Sequence, residues 1–278
     1  MKNKIFNFGQ FLNKLNESVP FQANSDLIGK IDYTLLKPEA TEEQIIELCE
    51  KADKLGVKSV CVLPKMVKVA ANALQDSNVL VCTVVSFPHG TDTTEQKLAE
   101  TKRVITDGAD EVDMVLNYLK LKLLFEENNN LEDEETFNTF INELAFDDVA
   151  PLVDECHNHT NKDGEPIILK VIVESSMLNE DETAESTHIC IEGGADFIKT
   201  STGMKTPDGG TGMAEIEKVK IMRNIINEED SNMKIKASGG IRTMVDLQKF
   251  EPYVDRFGVG FAAVDSIFGD ALSNDEGY

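Results

Sequence analysis

The chain is short of positive charge. It sets 27 Lys and Arg against 50 Asp and Glu, a formal net charge of −23 over 278 residues. A surface this acidic repels nucleic acid and anionic membranes, which excludes both as expected partners. Any site for an anionic ligand must then be built locally, against the field of the whole molecule. Long apolar runs are also missing: no window approaches the roughly 18 apolar residues of a membrane span. Asn7, Gln10 and Asn13 interrupt the stretch where a signal peptide needs unbroken apolar sequence. The five cysteines (Cys49, Cys61, Cys82, Cys156 and Cys190) are odd in number and widely spaced, with no C-x-x-C. That argues against a disulfide framework or a zinc ribbon and for a reducing, cytoplasmic setting. Only four histidines occur, and no Ser-His-Asp arrangement can be argued from them. There is no Pro/Ser-rich linker that would mark a second domain.

What is present is an alternation. Short apolar runs at 30–36, 58–63, 79–87, 111–116, 167–174, 196–201, 234–238 and 256–261 read as strands. Helical patterns follow them at about 42–55, 65–75, 93–107, 136–158, 180–192, 213–227, 243–251 and 264–272. Thr41 and Thr93 stand as N-caps before acidic first turns, and Gly56, Gly108 and Gly193 as left-handed C-caps. Eight βα units indicate an α/β fold, a (β/α)8 TIM barrel, with function at the C-terminal ends of the strands. The expected organisation is an amphipathic N-terminal helix over 1–24, the barrel over 25–272 and a polar tail over 273–278. Residues 120–137, acidic and low in complexity, read as a solvated excursion or a lid after the fourth strand.

Polar residues near strand ends form an unusual set. Asp113 lies on the fourth strand, Lys170 on the fifth, Lys199 on the sixth and Lys236 on the seventh. Lysines inside apolar strands are rare, because burying an ammonium is costly unless it is paired or neutral. Taken singly, each reads as structural, with Asp196, Glu174 and Glu111 available as partners. Taken together they converge in one barrel. Desolvation and a second cation both favour a free amine, which can attack a carbonyl and form a Schiff base. A nearby Asp can then relay protons. Gly203, Gly209, Gly210, Gly212, Gly239, Gly240, Gly258 and Gly260 follow the last three strands, where barrels commonly bind phosphate. Asp154 to His159 offers ligand-type side chains that point to different helix faces and cannot share one ion. Cys61 reads as a wall thiol and His89 as a loop residue.

These residues sit in longer motifs: Asp32-Tyr33-Thr34, Ser59-Val60-Cys61-Val62, Phe87-Pro88-His89-Gly90, and Gly108-Ala109-Asp110-Glu111-Val112-Asp113. Leu169-Lys170-Val171-Ile172, the run Gly194 to Gly203 and the run Lys236 to Thr243 continue the series. In this order, from about residue 27 to about 270, the chain resembles the deoxyribose-phosphate aldolase family. The resemblance implies a lyase without metal or other cofactor, cleaving 2-deoxy-D-ribose 5-phosphate reversibly to D-glyceraldehyde 3-phosphate and acetaldehyde. It implies Lys199 as the Schiff-base lysine, Lys236 as the second lysine that lowers its pKa, Asp113 as the proton relay and the terminal Tyr278 as an assistant in proton transfer. Asp32, Thr34, Cys61 and Lys170 would line the pocket, with Thr200, Gly203, Lys205, Gly239, Gly240, Gly258 and Gly260 on the substrate. The implied partners are a sugar phosphate and aldehydes, and a homodimer is an allowed assembly. Two departures stand out: Met204 occupies a position where many members have lysine, and Gly260-Phe261 one where a serine pair is common. The alternatives are the same imine chemistry on an unphosphorylated aldehyde, a barrel that only binds a sugar phosphate, and a metal-dependent aldolase lacking a credible ligand set.

Overall fold

The structure, a computed structural model, describes residues 26–128, 139, 141–206 and 209–272. The expected N-terminal helix over 1–24 and the tail with Tyr278 lie outside the described residues. Eight parallel strands close into a barrel in sequence order: β1 (Ile31–Leu35), β2 (Ser59–Val62), β3 (Leu80–Val85), β4 (Glu111–Val115), β5 (Ile168–Ile172), β6 (Phe197–Lys199), β7 (Lys234–Ser238) and β8 (Arg256–Gly260). The crossovers carry α1 (Glu42–Leu55), α2 (Val67–Ala73), α3 (Thr94–Thr106), α4 (Tyr118–Asn128), α5 (Ala150–His157), α6 (Glu180–Glu192), α7 (Ile216–Glu228) and α8 (Met244–Phe250), and α9 (Phe261–Leu272) closes the ring. This is a (β/α)8 TIM barrel. Among the described residues, no helix is long and apolar enough to cross a membrane.

Local sequence explains the helix starts. Thr41 with Gln44, Thr93 with Gln96, Asn179 with Glu182 and Thr243 with Asp246 form reciprocal capping boxes. Each satisfies two backbone N–H groups that the first turn leaves without partners. Gly56 ends α1 in the left-handed conformation, at φ 70°. Gly193 does not act as expected. Its φ is −73°, and the left-handed residue is Gly194. A side chain at Gly193 would meet Val149 Cγ1 at 2.6 Å, so that glycine serves the close approach of α6 to the preceding crossover.

Two further expectations need correction. The helix expected over 136–158 is not continuous: a π-helical turn over Leu144–Val149 precedes α5. Pro151 stands in the first turn of α5, where its missing N–H breaks a regular ladder and a wider turn takes over. The insertion 120–137 is not wholly a solvated excursion. Its first part is helix α4, with Tyr118, Leu121 and Leu124 buried at helical spacing. Residues 129–138 lie outside the described residues.

The apolar core sits between barrel and helices. Val60, Val81, Val112, Val171, Ile198 and Ile235 on the strands are buried against Leu48, Val104, Leu152, Ile189 and Val219 on the helices. Each such side chain stabilises the fold by about 1.5–3 kcal/mol. The inside of the barrel is different, because charged residues fill it.

Candidate active site

Adjacent residues on parallel strands carry their side chains on one face. The register places Asp32 beside Ser59 and Gly258, Cys61 beside Cys82, and Cys82 beside Glu111. It places Asp113 beside Lys170, Lys170 beside Phe197, Lys199 beside Lys236, and Lys236 beside Arg256. All of these share the interior face, and alternate strands supply each layer. The N-terminal layer is Ser59, Glu111, Phe197 and Arg256. Above it lie Asp32, Cys82, Lys170 and Lys236, and above those Cys61, Asp113, Lys199 and Gly258. Glycine at 258 leaves room for its neighbours, since a Cβ there would lie 2.8 Å from Ser238 Cβ and 3.5 Å from Lys236 Cε.

Asp113 is the hub. Its Oδ2 accepts from Lys199 Nζ and Lys236 Nζ, each at 2.7 Å, and its Oδ1 from Lys170 Nζ at 2.9 Å. Lys170 also donates to Glu111 at 2.7 Å, and Lys236 pairs with Asp32. Arg256 closes the ladder below, 2.6 Å from Asp32 Oδ1 and 3.3 Å from Glu111. The Cys82 thiol donates to Asp113 Oδ1 at 3.1 Å. All three lysines are buried.

Burial alone would push the Asp113 carboxyl up, but the neighbouring Lys170, Lys199 and Lys236 outweigh it and hold it well below the usual carboxylate range. The same contest holds Asp32 down, through Arg256, Lys236 and Lys170. For Lys170 and Lys236 burial favours the neutral amine, yet the surrounding carboxylates win and hold both above the ordinary lysine range. The expected carboxylate partners were only partly right. Glu111 binds Lys170, but Asp196 pairs with His157 at 3.0 Å. Glu174, in the left-handed region at φ 49°, accepts from the Thr202 N–H at 2.9 Å and from its hydroxyl at 2.6 Å.

Above the hub opens a cavity of about 470 Å³ at the C-terminal ends of the strands. Of the charged ladder, Lys199 alone is in its lining among the described residues. Thr34, Gly203, Gly239, Gly240, Gly258 and Gly260 also line it. Asp32, Cys61, Lys170 and Lys236 lie buried beneath the lining. Thr200 is a clip between β6 and β7: its hydroxyl donates to the Ser238 carbonyl at 3.1 Å and accepts from the Ser238 N–H at 3.0 Å. Lys205 is not brought to the cavity, because Met204 takes the wall position and Lys205 is exposed. The cations in the lining besides Lys199 are Lys37 and Arg242.

Sequence reasoning did not single out Arg242, Lys37, Cys82 or Arg256 as site residues. The signal for Arg256 was present: an arginine opening a buried strand needs carboxylates on the inward positions of nearby strands, and Asp32 and Glu111 hold those positions. Two ligand-type groups exist in the barrel, Cys61 with Cys82 and Asp113, and Asp32 with Cys82 and Glu111. Their carboxylates already accept from Lys170, Lys199, Lys236 and Arg256, so an added dication would meet positive charge at every approach.

Comparison with known proteins agrees with this geometry. Residues 27–255 match the model of the DeoC/LacD family aldolases. The deoxyribose-phosphate aldolase of Mycoplasmoides pirum is 40% identical over 218 residues, 78% of this chain and 86% of that protein. The one from Caldanaerobacter subterraneus subsp. tengcongensis is 40% identical over 218 residues, 78% of this chain and 82% of that protein. Among solved structures, the tetrameric deoxyribose phosphate aldolase from Aeropyrum pernix superposes with a TM-score of 0.70 at 25% identity, covering 91% of this chain and 94% of that one.

Proposed function

Because the chain belongs to the DeoC/LacD family of aldolases and is an enzyme of that kind, we propose that it cleaves 2-deoxy-D-ribose 5-phosphate reversibly through a Schiff base on Lys199. The observation that carries this reading is positional. Three lysines converge on Asp113, and Lys199 is the one that lines the cavity.

In the cleavage direction the free amine of Lys199 adds to the C1 carbonyl of the open-chain sugar. The carbinolamine loses water, and the resulting iminium withdraws electrons from C2. The C2–C3 bond then breaks, the C3 hydroxyl gives up its proton and D-glyceraldehyde 3-phosphate leaves. The enamine carbon takes a proton, and water releases acetaldehyde from the amine. Asp113, 2.7 Å from Lys199 Nζ, is the group placed to hold and return these protons. Lys236 keeps positive charge beside the reacting nitrogen. Lys37, Arg242 and the glycines Gly203, Gly239 and Gly240 form the cavity's anion-binding side. Tyr278 would assist proton transfer at the enamine carbon, and the small-molecule partners are a sugar phosphate and aldehydes.

The test is chemical. Incubation with acetaldehyde and borohydride, followed by digestion and mass measurement, places the reduced adduct on Lys199. An adduct on another lysine overturns the role, and the absence of any adduct overturns the chemistry. A second reading rests on the other wall, where Met204, Gly260, Phe261, Ala262 and Ala263 present little polarity. It assigns the same imine chemistry to an unphosphorylated aldehyde, and kcat/KM for deoxyribose with and without its 5-phosphate separates the two.

A further inference from the structure

The buried charged groups facing the barrel's interior can be taken strand by strand. β1 gives Asp32, β4 gives Glu111 and Asp113, β5 gives Lys170, β6 gives Lys199, β7 gives Lys236 and β8 gives Arg256. β2 and β3 add only the Cys61 and Cys82 thiols. Among the described residues, four cations therefore face three carboxylates, and all seven side chains are buried. An unmatched charge in such surroundings is expensive, and the loss of one proton would relieve it. Arg256 cannot supply that proton, since a guanidinium stays charged in proteins.

We infer that Arg256, on the barrel floor, is a positioning residue whose permanent charge forces one lysine of the trio to stand as a free amine. The inference rests on the imine reading above. Without Arg256, three lysines would match three carboxylates and all could remain ammonium ions. With it, one amine is surplus. Lys170 holds Glu111 and Asp113, and Lys236 holds Asp113 and Asp32. Among the described residues, Lys199 holds only an Asp113 oxygen that it shares with Lys236. It is the lysine with least to lose, and it is the one at the cavity. Arg256 acts from a distance: Lys199 is in register with Lys236, and Lys236 with Arg256. Two strand spacings put the two backbones about 10 Å apart. At an effective dielectric of about 20, a unit charge at that range shifts a titration by about one pH unit. Arg256 and Glu111 also border a second cavity of about 670 Å³ at the N-terminal end of the barrel, with Lys58, Asp196 and Lys234 at its rim. Water can enter there to fill the space left by a shorter side chain.

The experiment follows the rate at which acetaldehyde and cyanoborohydride modify Lys199, by intact mass and peptide mapping, across about pH 5 to pH 10. Arg256→Met is expected to raise the midpoint of that profile by about one unit, an approximately tenfold loss of rate near neutrality. Glu111→Gln, which adds a surplus cation, is expected to lower it. The double variant, with the wild-type charge sum, is expected to return the midpoint to within a few tenths of a unit. A merely structural role for Arg256 would change the amplitude or the stability and leave the midpoint in place. Unmoved midpoints in the single variants, or shifts of the same sign, overturn the inference. Should Arg256→Met fail to fold, the direction of the Glu111→Gln shift decides alone. Failure of the imine reading is distinguishable, because wild-type protein would then show no adduct on Lys199 at any pH.

Discussion

Replacing Asp113 by Asn keeps the shape of the hub and removes its charge. Lys170, Lys199 and Lys236, whose Nζ atoms all lie within 2.9 Å of it, then lose their common carboxylate. Breaking a buried ion pair by removing one partner costs about 3–5 kcal/mol. Here the cost depends on pH, and its sign can be worked out. In the wild type, Lys170 and Lys236 are held above their unfolded values, so both stay charged, folded or unfolded, up to the ordinary lysine range near 10.4. The stability they supply is fully present below that value and fades only as pH climbs through their raised folded values. In the variant the surplus ammonium groups are disfavoured, and folding releases a proton. Its stability should therefore rise with pH, by up to about 1.4 kcal/mol per unit for each proton released, until the unfolded lysines also deprotonate. Urea unfolding of both proteins at several pH values between neutrality and about 10 measures the gap, which is expected to be largest at the acid end and to narrow steadily. Turnover should fall by about two to four decades with the loss of the group proposed to hold the relayed protons. A gap that stays constant across this range, or a variant with wild-type turnover, would refute the account of Asp113 as the shared counter-ion.

Lys199→Ala is expected to fold as the wild type does by circular dichroism and to show neither turnover nor a borohydride-trapped adduct. Arg242→Ala should weaken use of the 5-phosphate by about 1.5–3 kcal/mol, one to two decades in kcat/KM, and leave deoxyribose itself nearly unchanged; equal losses on both substrates would remove the anion-binding role. Gly239, at φ 87°, has a Gly212 carbonyl where a Cβ would go; Gly239→Ala should lower stability by at least about 1 kcal/mol in chemical denaturation and raise KM more than it lowers kcat. Burial pushes the Cys49 and Cys156 thiols up to about 12, so iodoacetamide at pH 8 should leave both unmodified in the native protein and label them once urea unfolds it.

The barrel was legible because eight apolar runs alternate with capped amphipathic helices. That pattern has one economical closed solution. Lys170, Lys199, Lys236 and Asp113 were legible for a related reason: a charge inside a strand of buried residues signals a function or a partner. What the sequence concealed was pairing across the barrel. Glu111 and Asp196 look alike in their motifs, yet Glu111 points inward to Lys170 and Arg256 while Asp196 turns outward to His157. Only the register separates them. Lys205 offers a charge next to Met204, but the direction of a side chain in a glycine-rich loop does not follow from composition. Arg242 has the reverse history, an ordinary loop arginine in sequence that the fold brings to the cavity.

Glu174 carries a consequence for how this pocket can change. Its carboxylate grips Thr202, and Ser176 beside it accepts from the Gly212 N–H at 3.1 Å. The segment after β6 is thus moored at both ends to the loop that follows β5. Met204, between the moorings and on the cavity wall, can be exchanged while the anchor points and the Lys199 backbone stay where they are. A laboratory seeking new acceptor aldehydes could vary Met204 and should leave the glycines of that span and the three anchoring side chains Glu174, Ser176 and Thr202 untouched.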